Sequence, residues 1–136
     1  MNNENSHFDE LLRLARECAT KAYAPFSNFT VGAALLATDG EIFLGCNVEN
    51  SSYGLTICAE RTAAVSAIAA GNRSWRSIAI VSPTSVPPCG ACLQVLVEFS
   101  KSLEICIGSL DSTKPTRIYR IADLLPVSMH LDIASQ

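Results

Sequence analysis

The sequence predicts an α/β protein, a three-layer α/β/α sandwich around a mixed five-stranded sheet. Two observations carry that prediction. Two β-prone runs meet at an Asp-Gly turn in the first third of the chain, and two helix-then-strand units follow them. The composition agrees: 136 residues, 49% hydrophobic and 17% charged, suffice for one core and leave a surplus of apolar surface that reads as subunit interface. A single domain over 1–136 is the expectation.

The first element is a helix over 6–22. Phe8, Leu11, Leu12, Ala15, Cys18, Ala19 and Ala22 recur at helical spacing, with Asp9, Glu10, Arg13, Arg16 and Glu17 on the other face. Ser6 with Asp9 makes a capping box with a shorter acid, and Pro25 supplies the stop. Strands over 30–37 and 41–48 flank Thr38-Asp39-Gly40, so the pair is antiparallel. An Ala-rich helix over 58–70 closes on Gly71, and 77–81 reads as a short buried strand. The proline-rich loop 83–88 leads to a helix over 91–99 and a buried strand over 103–107. An edge strand over 116–119 and a short helix over 121–125 precede Pro126. In such sheets sites collect where loops meet helix N-termini.

Lys and Arg number 10 against 13 Asp and Glu, a formal net charge of -3, so nothing draws a phosphate backbone to this surface and no nucleic-acid partner is expected. No apolar run approaches the roughly 20 residues of a membrane span, and the start Met1-Asn-Asn-Glu-Asn-Ser-His lacks the basic and apolar regions of a leader. A cytoplasmic protein with no membrane partner is expected. The cytosol keeps thiols reduced, so the 6 cysteines point to metal or core before disulfides.

Two segments carry chemistry: Cys58-Ala59-Glu60-Arg61 and Pro87-Pro88-Cys89-Gly90-Ala91-Cys92. Each opens a predicted helix, where free N–H groups and the helix dipole favour thiolate over thiol. The C-x-x-C pair alone also fits a redox motif, but a thioredoxin-like pair sits near the first strand of its fold, whereas this one follows a hairpin, a helix and a strand. Cys58 adds a third thiolate. Two facing helix starts can present Cys58, Cys89 and Cys92 to one Zn²⁺ per chain and leave a fourth position open, as catalytic zinc requires. Glu60, on the first turn with Cys58, can hydrogen-bond a metal-bound water, whose pKa zinc lowers to about 7, and move its proton to a substrate nitrogen. The plainer alternatives are a structural zinc site, unliganded core thiols, and an ordinary N-terminal helix acid.

Cys-Ala-Glu-Arg, then Pro-Cys-Gly-Ala-Cys, with Asn47-Val48-Glu49-Asn50 upstream, resemble the zinc-dependent deaminases in a variant with cysteine where others have histidine. Within them the chain is similar to the short homotetrameric cytidine deaminases of pyrimidine salvage, from about Ala22-Tyr-Ala-Pro-Phe-Ser to Leu125-Pro126. The likeness implies the cytidine deaminase-like fold and the hydrolysis of cytidine and 2′-deoxycytidine to uridine, 2′-deoxyuridine and ammonia. In that reaction hydroxide from the metal attacks C4 while Glu60 carries a proton to N3 and then to the departing amine. On the same likeness Asn47 and Glu49 hold the ribose hydroxyls, Phe29 packs against the pyrimidine, and the Ala59 N–H donates to the base. The Pro87 carbonyl, which proline retains, accepts from the amino group. Tyr53 falls near a subunit boundary of a homotetramer whose neighbours complete each pocket, and 136 residues leave no room for the duplicated domain of larger dimeric relatives.

Two positions depart from the family. Leu93 follows Cys92 where an arginine is usual, which leaves Arg61 to offset a zinc–trithiolate group of charge −1. Val127-Ser128-Met129 stands where relatives often carry a phenylalanine that reaches a neighbouring site. With Pro87, these departures keep open a deaminase or amidohydrolase for another N4-bearing pyrimidine nucleoside, and a structural zinc module is the non-enzymatic alternative. Cys18, Cys46 and Cys106 read as small buried hydrophobes, and His7 and His130 as surface residues.

Overall fold

Five strands, β1 (Gly32–Ala37), β2 (Ile42–Cys46), β3 (Trp75–Ser82), β4 (Glu104–Ser109) and β5 (Arg117–Arg120), form one sheet in the order β2-β1-β3-β4-β5. This arrangement is that of a computed structural model describing residues 6–133. β3 and β4 run parallel, while β1 pairs antiparallel with β2 and β3, and β4 with β5, so the sheet is mixed as predicted. Its hairpin turn works through Gly40, at φ 92°, and through the Asp39 carboxylate, which accepts the Glu41 N–H at 2.9 Å.

Alternation along β1 builds two cores. Ala34 and Leu36 join Ala79, Val81 and Cys106 under helix α1 (Ser6–Ala19), which buries Phe8, Leu11, Leu12 and Ala15. Ala33, Leu35 and Ala37 join Ile78, Ile80, Ile105 and Ile107 under α2 (Ala59–Ala69) and α3 (Gly90–Phe99), and Ile121 of α4 (Ile121–Leu124) completes that layer. No helix among the described residues is long and apolar enough to cross a membrane.

α1 ends three residues before its apolar pattern does. The Thr20 hydroxyl donates to the Glu17 carbonyl at 2.6 Å, tight turns follow, and Tyr23 leaves to bridge Val48. The long-range bridge claims the backbone that the periodicity assigned to helix. For the same reason β2 stops at Cys46: Val48 pairs with Tyr23 and Ile57 instead of continuing the ladder. A 3₁₀ turn at Tyr53–Leu55 carried no sequence signal. The Ser6 side chain, and with it the expected cap, lies outside the described residues.

His7 is only partly at the surface. It is half-buried, with its ring 4.1 Å from that of Phe8 and its Nε2 3.4 Å from the buried Ser77 hydroxyl. His130 is exposed, 3.6 Å from the Glu98 carboxylate. Cys18 and Cys106 are buried, as expected, and Cys46 is half-buried.

Candidate active site

Cys58 and Cys89 are the N-cap residues of α2 and α3, and the two helix starts face each other. The sulfurs of Cys58 and Cys89 are 4.0 Å apart and those of Cys89 and Cys92 3.5 Å, with all three within 4.8 Å. A tetrahedral zinc–thiolate centre with bonds of about 2.3 Å needs sulfurs roughly 3.8 Å apart, so the three sulfurs are grouped closely enough to hold one ion. Cys89 is open to solvent, Cys58 half-buried and Cys92 fully buried, so the group has one accessible side.

Arg61, one turn along α2, points its Nη2 at Cys58 Sγ at 3.4 Å, while its Nε is buried without a hydrogen-bond partner. The hydrogen bond from Cys92, reinforced by Arg61, holds Cys58 down at about 5, while its bond to Cys58 and burial push Cys92 up. Glu60 is 5% exposed, and its burial, with the Cys58 charge adding to it, raises its pKa above the usual carboxylate range.

A cavity of about 320 Å³ opens over these groups. Its lining includes Cys58, Ala59, Glu60, Pro87 and Cys89 from the two helix starts, and Phe29, Asn47 and Glu49 from the segments flanking the hairpin. The Asn47 amide is buried and doubly held: Oδ1 accepts the Val31 N–H at 2.9 Å and Nδ2 donates to the Phe29 carbonyl at 2.8 Å. Glu49 accepts the backbone N–H groups of Phe26 at 2.9 Å and Ser27 at 3.2 Å, and the Ser27 hydroxyl. The Ser27 hydroxyl contributes most to holding its carboxyl below the usual range.

Two helix starts bearing three cysteine sulfurs, beside a buried acid in a cavity also lined by Asn47 and Glu49, lie within the reach of one family model. The model for the cytidine and deoxycytidylate deaminase zinc-binding region covers residues 5–108. The chain belongs to this family. Its relatives include the cytidine deaminase of Sporosarcina psychrophila, 48% identical over 104 residues, which span 75% of this chain and 72% of that one. Cytidine deaminase of Halalkalibacterium halodurans is 44% identical over 119 residues, 85% of this chain and 89% of its own. The crystal structure of cytidine deaminase from Burkholderia pseudomallei superposes with a TM-score of 0.84 at 45% identity, covering 95% of this chain and all of the other.

Against that family pattern, three residues singled out in the sequence stand away from the cavity. Tyr53 is 75% exposed, stacks edge-on against Phe26 at 6.0 Å, and lines an adjoining cleft with Glu49. Leu93, 7% exposed, packs in the core, so no second cation faces the thiolates from its position. Met129 is 65% exposed and lies along α3, where its carbonyl accepts a hydrogen bond from Gln94 at 2.9 Å. Ser27, Thr56, Ile80 and Val86 also line the cavity and were not anticipated. The one sequence signal for them was the turn-forming Pro-Phe-Ser-Asn stretch, where Asn28 takes a left-handed φ of 57°.

Proposed function

We propose that this chain is a cytidine deaminase that hydrolyses the 4-amino group of cytidine and 2′-deoxycytidine in pyrimidine salvage. One observation carries the reading: the buried Glu60 carboxyl shares a cavity wall with Cys58 and Cys89, and the same cavity holds Asn47 and Glu49. Relatives that bear the name cytidine deaminase, 44–48% identical, support it.

A zinc ion held by Cys58, Cys89 and Cys92 would supply hydroxide at neutral pH by lowering the pKa of water to about 7. Burial raises the pKa of Glu60, so its carboxylate is a stronger base than a free one: it takes the water proton and passes it to N3, then takes the proton of the new C4 hydroxyl and gives it to the leaving amine. Oxygen ends on C4, the C4–N bond breaks, and ammonia leaves. Phe29 packs against the base, the Ala59 N–H at the start of α2 donates to it, and the Pro87 carbonyl accepts from the amino group before it departs. Asn47 and Glu49 take the ribose hydroxyls. Arg61 offsets the negative charge of the thiolates.

The same reading includes one domain over the chain and a homotetramer, supported by the exposed Phe26, Tyr53, Leu55 and Ile57 on the segments that flank the cavity. It includes a cytoplasmic setting, because trithiolate ligation needs reduced cysteines.

The deciding experiment follows the ultraviolet absorbance of cytidine with the native protein and with Glu60→Gln, with zinc analysis of both. Conversion to uridine by the native protein, with a loss of at least about a hundredfold in a variant that keeps one zinc, supports the reading. Zinc bound without any turnover of cytidine overturns it and leaves a structural metal module.

A further inference from the structure

We propose that Ser27 is a positioning residue that aims the Glu49 carboxylate at the sugar and so sets the preference for ribose hydroxyls. The proposal rests on the reading of Glu49 as a ribose partner. An ionised carboxylate offers about four acceptor positions, two on each oxygen. Glu49 Oε1 fills both of its positions with the backbone N–H groups of Phe26 and Ser27. Oε2 accepts the Ser27 hydroxyl and has one position left. Glu49 can therefore take one further donor, through Oε2 alone, and the cavity borders it.

The direction of the Ser27 hydroxyl is itself fixed. Its oxygen accepts the Phe29 N–H at 3.0 Å, a contact made possible by the left-handed Asn28 between them, φ 57°. Because one side of the oxygen is engaged as acceptor, its single proton is committed to Oε2. Phe29 is thus held at both backbone groups, its N–H by Ser27 and its carbonyl by the Asn47 amide. Ser27 joins the aromatic wall of the cavity to its carboxylate. Without the hydroxyl, Oε2 is free to turn about the axis through Oε1 and loses its aim. The exposed Phe29 N–H then passes to water, so packing against the base survives.

The test compares Ser27→Ala, Ser27→Thr and the native zinc-loaded enzyme. The readouts are kcat and KM for cytidine and the inhibition constant of 2′,3′-dideoxycytidine, which lacks both hydroxyls. In Ser27→Ala the KM for cytidine rises about tenfold, the loss of one charge-assisted hydrogen bond, with kcat within about twofold. The dideoxycytidine constant stays where it was, Ser27→Thr restores the KM, and Ser27→Ala adds nothing in a Glu49→Ala background. Equal weakening of both nucleosides, or none, overturns the role of Ser27, while a preference for cytidine that Glu49→Ala reduces upholds that of Glu49. A native enzyme that binds the two nucleosides alike overturns the Glu49 reading, and the proposal with it.

Discussion

A Cβ added to Gly45 would stand 2.3 Å from the carbonyl oxygen of Ala59 and 2.4 Å from the backbone nitrogen of Ala63. The first turn of α2, with Cys58, Glu60 and Arg61, thus rests directly on the backbone of β2. Only glycine permits that approach, and two residues later, just past the end of the strand, Asn47 reaches the cavity.

Gly45→Ala is therefore expected to displace the start of α2, since both clashing atoms are backbone. A stability loss of about 1–3 kcal/mol, the usual cost of overpacking, should accompany a larger proportional loss of activity. Chemical denaturation beside turnover measures both. An active variant of native stability would mean that the helix start tolerates a shift.

Asn47→Ala should cost about 1–3 kcal/mol, because the Val31 N–H and the Phe29 carbonyl lose their partner in a half-buried setting. Asn47→Asp keeps the acceptor for Val31 but turns an oxygen toward the Phe29 carbonyl, so it should be no better than alanine. The order of the denaturation midpoints checks the geometry of the clamp.

In metal-free protein the Cys58 thiolate should form with a midpoint near 5, held there first by the hydrogen bond from Cys92 and then by Arg61. Arg61→Ala removes the second cause, so the midpoint read from thiolate absorbance should move upward. An unmoved midpoint would leave the neighbouring thiols, Cys92 first and then Cys89, as the cause.

Tyr53→Glu places a charge on an exposed ring that meets Phe26 at its edge. If this face joins copies of the chain, light scattering should report a smaller species, with activity falling in parallel. A native protein that is monomeric and fully active would refute the interface.

The metal-ligand set was legible because its parts are local. Cys58 with Glu60, and Cys89 with Cys92, each fall within one turn of a helix start, and a spacing of two or three residues suffices to show them. The hairpin was legible through Asp39 and Gly40 for the same reason. What was hidden is long-range. The end of α1 at Ala19 depends on the bridge between Tyr23 and Val48, and the place of His7 on a strand seventy residues away. The Ser27–Glu49 clamp joins segments twenty-two residues apart, and no local spacing shows that the two positions meet.

Cys58 and Cys89 lie 31 positions apart in the chain, each at the head of a different helix. An ion gripped by both is a topological staple as well as a reagent. By the loop-closure entropy that a disulfide would remove from the unfolded chain, such a staple is worth roughly 3–4 kcal/mol. Chelation would then do two things at once, ending turnover and loosening the seam between α2 and α3, so shelf life and catalytic life should decay together as zinc is lost.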